Sequence, residues 1–393
     1  MKEAVIVSTA RTPFARSWKG SFNMTHGATL AGHAVRHAVA RAGACDTLVE
    51  DVIMGCAAPE GATGGNIGRQ SAIRAGLPVA AAGMTVNRFC ASGLQAVALA
   101  AQRVMVGEAE VLVAGGAESI SCVQNQMNMH MARDAWIEAN KPELYLNMIE
   151  TAECVARRYG IDRAACDAYG AGAQQKADRA AREGRFDAEI VPIEVTTASA
   201  DRFGALSTQA VTASADEGIR PGTTEDSISG LPAVLRDGTV TAGNASQFSD
   251  GASACVVMAR DKAEDLGLTP LGIFRGFAVA GCEPDEMGIG PVFAVPKLLH
   301  QAGLSVSDID LWELNEAFAV QVIHCRDHLG IPDECLNVNG GAIAFGHPYG
   351  ASGSRMIGHA LIETRRRGGR FAVATMCIGG GQGAAALLET FPT

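Results

Sequence analysis

Two cysteines, one histidine and one asparagine stand in this sequence where chemistry is easiest to build. Cys90 lies in Thr85-Val86-Asn87-Arg88-Phe89-Cys90-Ala91-Ser92-Gly93. A short apolar run (Met84 to Val86) precedes it. Leu94, Val97, Ala98, Ala101, Val104 and Met105 follow, spaced three and four apart as on a helix running to about Glu108. The thiol is therefore expected on a strand-to-helix turn, where free amide N–H groups and the helix dipole favour the nucleophilic thiolate. The same turn could lend a backbone N–H to an oxyanion. An isolated cysteine before an apolar helix is more often an inert core residue, so the reading depends on partners elsewhere.

Three other stretches offer them. Asn315 opens Asn315-Glu316-Ala317-Phe318-Ala319, where a strand breaks into a helix; it either caps that helix or holds a water in a cleft. His347 sits between Gly346 and Pro348 in the glycine-rich stretch from Gly340 to Arg355, on a backbone too rigid for a surface bystander. Cys377 begins Cys377-Ile378-Gly379-Gly380-Gly381-Gln382-Gly383 at the end of what reads as the last strand, and strand ends are where doubly wound sheets bind ligands. Those glycines imitate a dinucleotide fingerprint, but the chain ends ten residues later, leaving no place for the acidic ribose ligand ~20 residues on. A backbone N–H nest for an oxyanion is the better use. His324, Cys325 and His328, on a helix expected over 317–329, come nearest to a metal cluster. With no second ligand pair, no metal is expected.

Composition sets the frame for the elements that must position these groups. Hydrophobic residues make up 48% of the 393 positions and aromatics only 5%, with 46 glycines, which describes closely packed small residues in an α/β protein. A net charge of −10 excludes the basic footprint of a nucleic-acid binder. No apolar run reaches the ~20 residues that span a bilayer. The start (Met1-Lys2-Glu3, then Ala4-Val5-Ile6-Val7) reads as a first strand rather than a signal peptide, and Phe391-Pro392-Thr393 is no peroxisomal address; cytoplasm is the expected compartment. Eleven scattered cysteines form no disulfide framework.

Along the chain, short apolar strands alternate with helical spacings, which predicts a parallel sheet covered on both faces. Strands are expected at Val49–Cys56, Val111–Ala114, Ala252–Ala259, Gly272–Val279 and Phe371–Met376. Helices are expected over 25–42, 151–159, 162–183 and 295–302. The glycine-rich loop from Gly61 to Gly68 lacks the Lys-Ser/Thr ending of a P-loop and reads as structural. From about Ser121 to Gln247 the texture turns polar and, after Pro192, rich in Thr, Ser, Gly and Asp, as in a long irregular insertion. The remainder echoes the beginning. Leu304 to Glu313 repeats the linker and strand ending at Met54, Leu336 to Gly341 repeats Met84 to Arg88, and Phe371 to Met376 repeats Val111 to Ala114. Two similar α/β halves with an insertion inside the first are expected, bounded as 1–120 plus 248–268, 121–247, and 269–393.

Val86 to Gly93, Asn315 to Phe318, Gly346-His347-Pro348 and Cys377 to Gly381 together resemble, in order and spacing, the signature blocks of the thiolase family. The resemblance runs from Ala4 nearly to the last residue. It implies two βαβαβαββ halves in a five-layered α/β/α/β/α sandwich, an inserted loop domain, and a homodimer or homotetramer. It implies a reaction too: reversible CoA-dependent cleavage of a 3-ketoacyl-CoA to acetyl-CoA and a shortened acyl-CoA. By position, Cys90 becomes the acylated nucleophile, His347 the base that takes its proton, and Cys377 the acid/base at the α-carbon. Such a second thiol can trade a proton if neighbours bring its pKa toward neutrality. One oxyanion site would use His347 with a water held by Asn315. The other would use the N–H groups of Cys90 and Gly379. Arg220 would meet the adenine end of CoA, with Ala242, Ser246 and Phe248 along the pantetheine arm. Met148, Met287 and Phe318 would line the substrate side. CoA is a substrate here, so no separate cofactor is implied.

The sequence departs from the family pattern at Ile149, where a glycine is usual, at Asn147, and at Phe345 and Tyr349 beside His347. Asn147 replaces a histidine common in biosynthetic acetoacetyl-CoA thiolases and tilts the reading toward a degradative 3-ketoacyl-CoA thiolase. The acetoacetyl-CoA enzyme working in the condensing direction is the alternative. A ketoacyl synthase would carry His at Cys377, and a non-catalytic CoA-ester carrier would not keep Cys90, His347 and Cys377 together.

Overall fold

A computed structural model describes residues 2–43, 46–201 and 203–391; Met1 and the terminal Pro392-Thr393 read above lie outside them. The first half of the sheet runs, in spatial order, Ala82–Val86, Asp51–Gly55, Val111–Glu118, Ser249–Ala259, Ala4–Arg11. The second half mirrors it with Leu311–Leu314, Phe371–Ile378, Gln382–Glu389, Gly272–Gly281, and a parallel bridge from Trp312 to Leu336 stands where Ala82–Val86 stands in the first. Strand directions repeat as well: each half has parallel neighbours followed by one strand antiparallel to both sides. A two-residue pairing, Val5 with Ile273 and Ile6 with Gly272, joins the halves.

The sheets are therefore mixed rather than parallel, and Phe371–Ile378 is not the last strand. Gly379–Gly381 is a three-residue turn into Gln382–Glu389, and so short a connection can only join antiparallel neighbours.

Five layers follow from which faces are apolar. Strands such as Ala4–Arg11 and Ser249–Ala259 are buried along their whole length, as strands covered on both faces must be. Helices Ser92–Met105 and Tyr349–Arg367 lie between the two halves and share one core with both. Gly27–Arg41 and Ile67–Ala75 cover the outer face of the first half, and Gly290–Ala302 with Ala319–Leu329 the outer face of the second. The glycine content serves this middle layer. A Cβ on Gly116 would stand 1.8 Å from the Gly350 carbonyl oxygen, and one on Gly93 2.3 Å from the same atom. Backbone touches backbone where the Cys90 and His347 segments meet.

Between Glu118 and Ser249 the chain leaves the sheet. It forms helices Met148–Tyr159 and Arg163–Arg182 and a hairpin of Ile193–Ala200 with Leu206–Ala213. The hairpin stands where irregular chain is expected from the sequence, because its exposed strands of Thr, Ser and Ala carry little apolar alternation. Buried Arg11 anchors the insertion, donating to both Asp216 oxygens (2.7 and 2.8 Å) and to Glu189 (3.0 Å).

Candidate active site

The nucleophile loop is held by its own side chains. Asn87 accepts from the Phe89 N–H (2.8 Å) and donates to the Ala57 carbonyl (3.0 Å). This fixes Phe89 at φ +44°, in the left-handed region, at a cost of order 1–3 kcal/mol for a bulky residue. Strain of this kind directly before a candidate nucleophile is what presents its thiol. The helix start does not make that thiol a thiolate, contrary to the sequence expectation. The Ala91 and Ser92 N–H groups return to the Arg88 and Phe89 carbonyls (both 3.0 Å). Cys90 is half-buried as a residue with its sulfur enclosed, and burial pushes the thiol up to about 11 against the opposing pull of the Gly379 and Cys90 N–H groups. Cys90 rests as a thiol and needs a base.

His347 is built to be that base. Its Nδ1 lies 2.6 Å from Ser352 Oγ, and the Ser352 hydroxyl donates on to the Pro348 carbonyl (3.2 Å). Nδ1 therefore carries the proton, and Nε2 keeps its lone pair beside Asn315 Nδ2 at 3.4 Å. The ring is 3% exposed, and burial lowers its pKa to about 4, so it is neutral at physiological pH. Linkage gives this a sign. Above pH 6.5 the ring is neutral folded or unfolded; as pH falls from 6.5 toward 4, the unfolded chain takes up a proton that the folded ring refuses, and stability is lost. Between pH 7.5 and 5 the wild-type chain should lose about 2 kcal/mol more than a His347→Gln variant. Parallel denaturant titrations of both proteins at the two pH values measure it, and equal losses would refute a depressed His347.

Asn315 does not cap a helix; the next one begins at Ala319 with Phe318 as its cap residue. Its backbone N–H is bound to the Thr375 carbonyl (2.9 Å). Next to it, the buried Glu316 carboxylate accepts from Tyr169 (2.8 Å), Asn337 (3.1 Å) and the Ile343 N–H (3.1 Å), which pins the whole segment. Cys377 is buried, and desolvation with the neighbouring Cys90 raises its thiol well above the usual value. Its neighbours do not bring it toward neutrality, so it rests as a proton donor. Two thiols, one neutral imidazole and converging N–H groups suit acyl transfer to sulfur coupled to protonation of a carbanion.

Residues 4–261 match the family described as Thiolase, N-terminal domain, and residues 268–390 match Thiolase, C-terminal domain. The chain belongs to the thiolase family. It is 48% identical to the 3-ketoacyl-CoA thiolase of Bacillus subtilis, over 99% of this chain and all of that one. It is 42% identical to the acetyl-CoA acetyltransferase of Cupriavidus necator, over 99% of this chain and all of that relative. Human mitochondrial 3-ketoacyl-CoA thiolase in complex with CoA superposes with a TM-score of 0.88 at 36% identity, covering 99% of this chain and 98% of that one.

The remaining residues expected in a thiolase site differ in exposure and in what they touch. Met148 lies beside Gly379, whose added Cβ would touch its sulfur at 3.6 Å. The segment Thr241–Phe248 runs between the two catalytic stretches: the Ser246 N–H binds the Ala317 carbonyl (2.9 Å), and the Gln247 carbonyl accepts from the His347 N–H (3.0 Å). Ser246 is part-exposed, Phe248 is 47% exposed, and Phe318 is buried against Ala245. Ala242 and Arg220 are exposed on the rim, where Arg220 donates to Gln247 (3.4 Å). Met287 is 2% exposed and belongs to the buried cluster that also holds Cys377, as core rather than lining. Of the departures, Asn147 caps its helix through Ile149 and Glu150 (3.0 Å each), and Ile149 packs on the core. Phe345 is buried with Phe14 and Phe186, under the Arg355 guanidinium. Tyr349 alone faces the site, its ring edge-on to His347 at 5.2 Å.

His324 and His328 lie side by side, with ring centroids 5.7 Å apart, but Cys325 does not join them. Cys325 points inward at the Gly288 carbonyl (3.5 Å), while His324 stacks on Tyr159 at 3.9 Å. Ser352 and Glu118 have places in the site that sequence reasoning missed. Ser352 lies in the glycine-rich stretch from Gly340 to Arg355, five residues after His347, and a hydroxyl on a helix start is the signal that marks it.

Proposed function

We propose that this chain catalyses reversible, CoA-dependent thiolysis of 3-ketoacyl-CoA to acetyl-CoA and a shortened acyl-CoA, in the degradative direction. The observation that carries the reading is that the Gly379 N–H and Cys377 lie against Cys90, while Tyr349, close enough to feel Cys90, stands edge-on to His347 with Asn315 at its Nε2. His347 Nε2 takes the Cys90 proton and the sulfur attacks the C3 carbonyl. The C2–C3 bond then breaks with its electrons on C2, and the Cys377 S–H protonates that carbon, releasing acetyl-CoA. Incoming CoA-SH returns a proton to the Cys377 sulfur and attacks the acyl-Cys90 thioester. Cys90 leaves as thiolate and regains its proton from His347. Each oxyanion is met by fixed donors: the Gly379 and Cys90 N–H groups on one side, and the His347–Asn315 side with its water on the other.

Ser246 and Phe248 border the pantetheine arm, Arg220 and Ala242 the outer reach of CoA, and Met148 and Phe318 the acyl side, with Met287 supporting them. CoA and its esters are the only partners invoked, besides a second copy of the chain; the part-exposed edge strand Ala82–Val86 is a surface suited to such a copy. The cysteines of the described residues are all free, as suits a reducing cytoplasm. No helix of the described residues is long and apolar enough to cross a membrane.

Loss of thioester-enolate absorbance on adding CoA, measured over 3-ketoacyl-CoAs of rising chain length, is the direct test. Cleavage is expected for acetoacetyl-CoA and for longer chains, with kcat/KM highest on a chain longer than acetoacetyl-CoA. Activity confined to acetoacetyl-CoA would favour the acetyltransferase alternative, and none on any length would refute the reading.

A further inference from the structure

Glu118 ends the Val111–Glu118 strand and is 1% exposed. No arginine, lysine or histidine pairs with it among the described residues. Its carboxylate instead accepts three backbone N–H groups: Ala57 (2.9 Å), Ala58 (3.0 Å) and Gly350 (2.9 Å), with the Cys56 thiol at 3.5 Å. An unpaired buried carboxylate is costly, and three N–H donors are the form of solvation that can hold it there.

Its donors come from the two loops that the reaction must bring together. Ala57 and Ala58 follow the Asp51–Gly55 strand, and Ala57 receives the Asn87 amide that holds Phe89 and thereby Cys90. Gly350 is in the first turn of the helix after His347-Pro348 and abuts Gly93 and Gly116 without room for a Cβ. Ala57 and Ala58 belong to one half of the duplicated fold and Gly350 to the other. We propose that Glu118 is a positioning residue for thiolysis: its carboxylate clamps the backbone behind the nucleophile to the backbone beside the base, and sets a negative charge behind the Cys90 loop. The titratable groups around it are Cys56, Cys90 and Tyr349; burial raises all three, and the Glu118 charge adds to it. Burial raises the Glu118 carboxyl too, against the pull of its three N–H donors. This inference rests on Cys90 and His347 having the roles proposed above.

The test compares Glu118→Gln, which removes the charge and one acceptor, with Glu118→Asp, which keeps the charge but shortens the reach. Two readouts are taken on the full-length protein: steady-state thiolysis, and the pH dependence of Cys90 alkylation by iodoacetamide, followed by peptide mass spectrometry. Glu118→Gln should lower kcat at least tenfold with KM for CoA within twofold, and should move the alkylation midpoint to lower pH. Glu118→Asp should lower kcat while leaving the alkylation midpoint at the wild-type pH. A kcat within twofold of wild type in either variant, or an unmoved midpoint in Glu118→Gln, overturns the proposal. If Glu118→Gln does not fold, Glu118→Asp decides alone. A Cys90→Ala control separates the two readings: undiminished cleavage there would sink the site itself, whatever Glu118 does.

Discussion

Cys90→Ala should lose thiolysis by about 10⁴-fold or more, the scale at which removing a covalent nucleophile acts, and should lose the acyl-enzyme with it. The size follows from the division of labour. Among the described residues the two thiols nearest to it have other work: Cys377 is buried and is assigned to the carbon, and Cys56 donates into Glu118. Mass spectrometry after incubation with acetyl-CoA should find a single acetyl group on wild-type protein and none on the variant. Acylation of the variant elsewhere, with cleavage within tenfold of wild type, would mean that another residue carries the acyl group. Since Cys90 adds little to the core, the variant should keep the wild-type melting temperature within a few degrees, so the loss is not one of folding.

The second large effect divides the reaction in two. In Cys377→Ala the nucleophile and its base are intact. Exchange breaks no carbon–carbon bond and so leaves no Cys377 thiolate to reprotonate; with His347 carrying the proton, acetyl-CoA should still acylate Cys90 and exchange its CoA with labelled CoA at a rate within about tenfold of wild type. Cleavage of the carbon–carbon bond has lost its proton donor and should fall about 10³-fold, within the 10²–10⁴ range for a positioned acid or base. The raised thiol makes the direction definite. Cys377 enters the cycle protonated, so in the cleavage direction it acts first as an acid. If exchange and cleavage fall together, Cys377 serves the acyl step as well. If neither falls, it is an ordinary core cysteine. His347→Gln is the contrast, since it should slow both half-reactions.

Much of this site was legible from the chain alone, for a physical reason. Its groups sit where strands turn into helices or hairpins, and such turns need glycine, proline or a rigid neighbour, which leave marks in sequence. Cys90, Asn315, His347 and Cys377 were found that way, as was the duplication, because both halves repeat their apolar strands in register. What failed depended on partners distant in sequence. That Cys90 would rest as a thiol could not be read from its helix start, because the local N–H groups turn back on Arg88 and Phe89. Met287 looked like lining but is covered by the second half's helices. The two aromatic departures beside His347, Phe345 and Tyr349, look equivalent in sequence. They part company because one ring joins Phe14 and Phe186 while the other stays beside His347. Glu118 gave no sign at all, since its donors are backbone N–H groups, and these carry no residue-type signature.

The repeated half has a consequence for how the molecule comes to life. One copy of the motif supplies the nucleophile and the other supplies base and acid, and each half is chemically mute by itself. The backbone contact of Gly93 and Gly116 with Gly350 forms only when segments more than two hundred residues apart have docked. Contacts of such long sequence separation are among the last that a chain can afford to close. A half-folded chain thus owns the thiols without the base that is set against them. Catalytic competence is then a report that both copies have found each other.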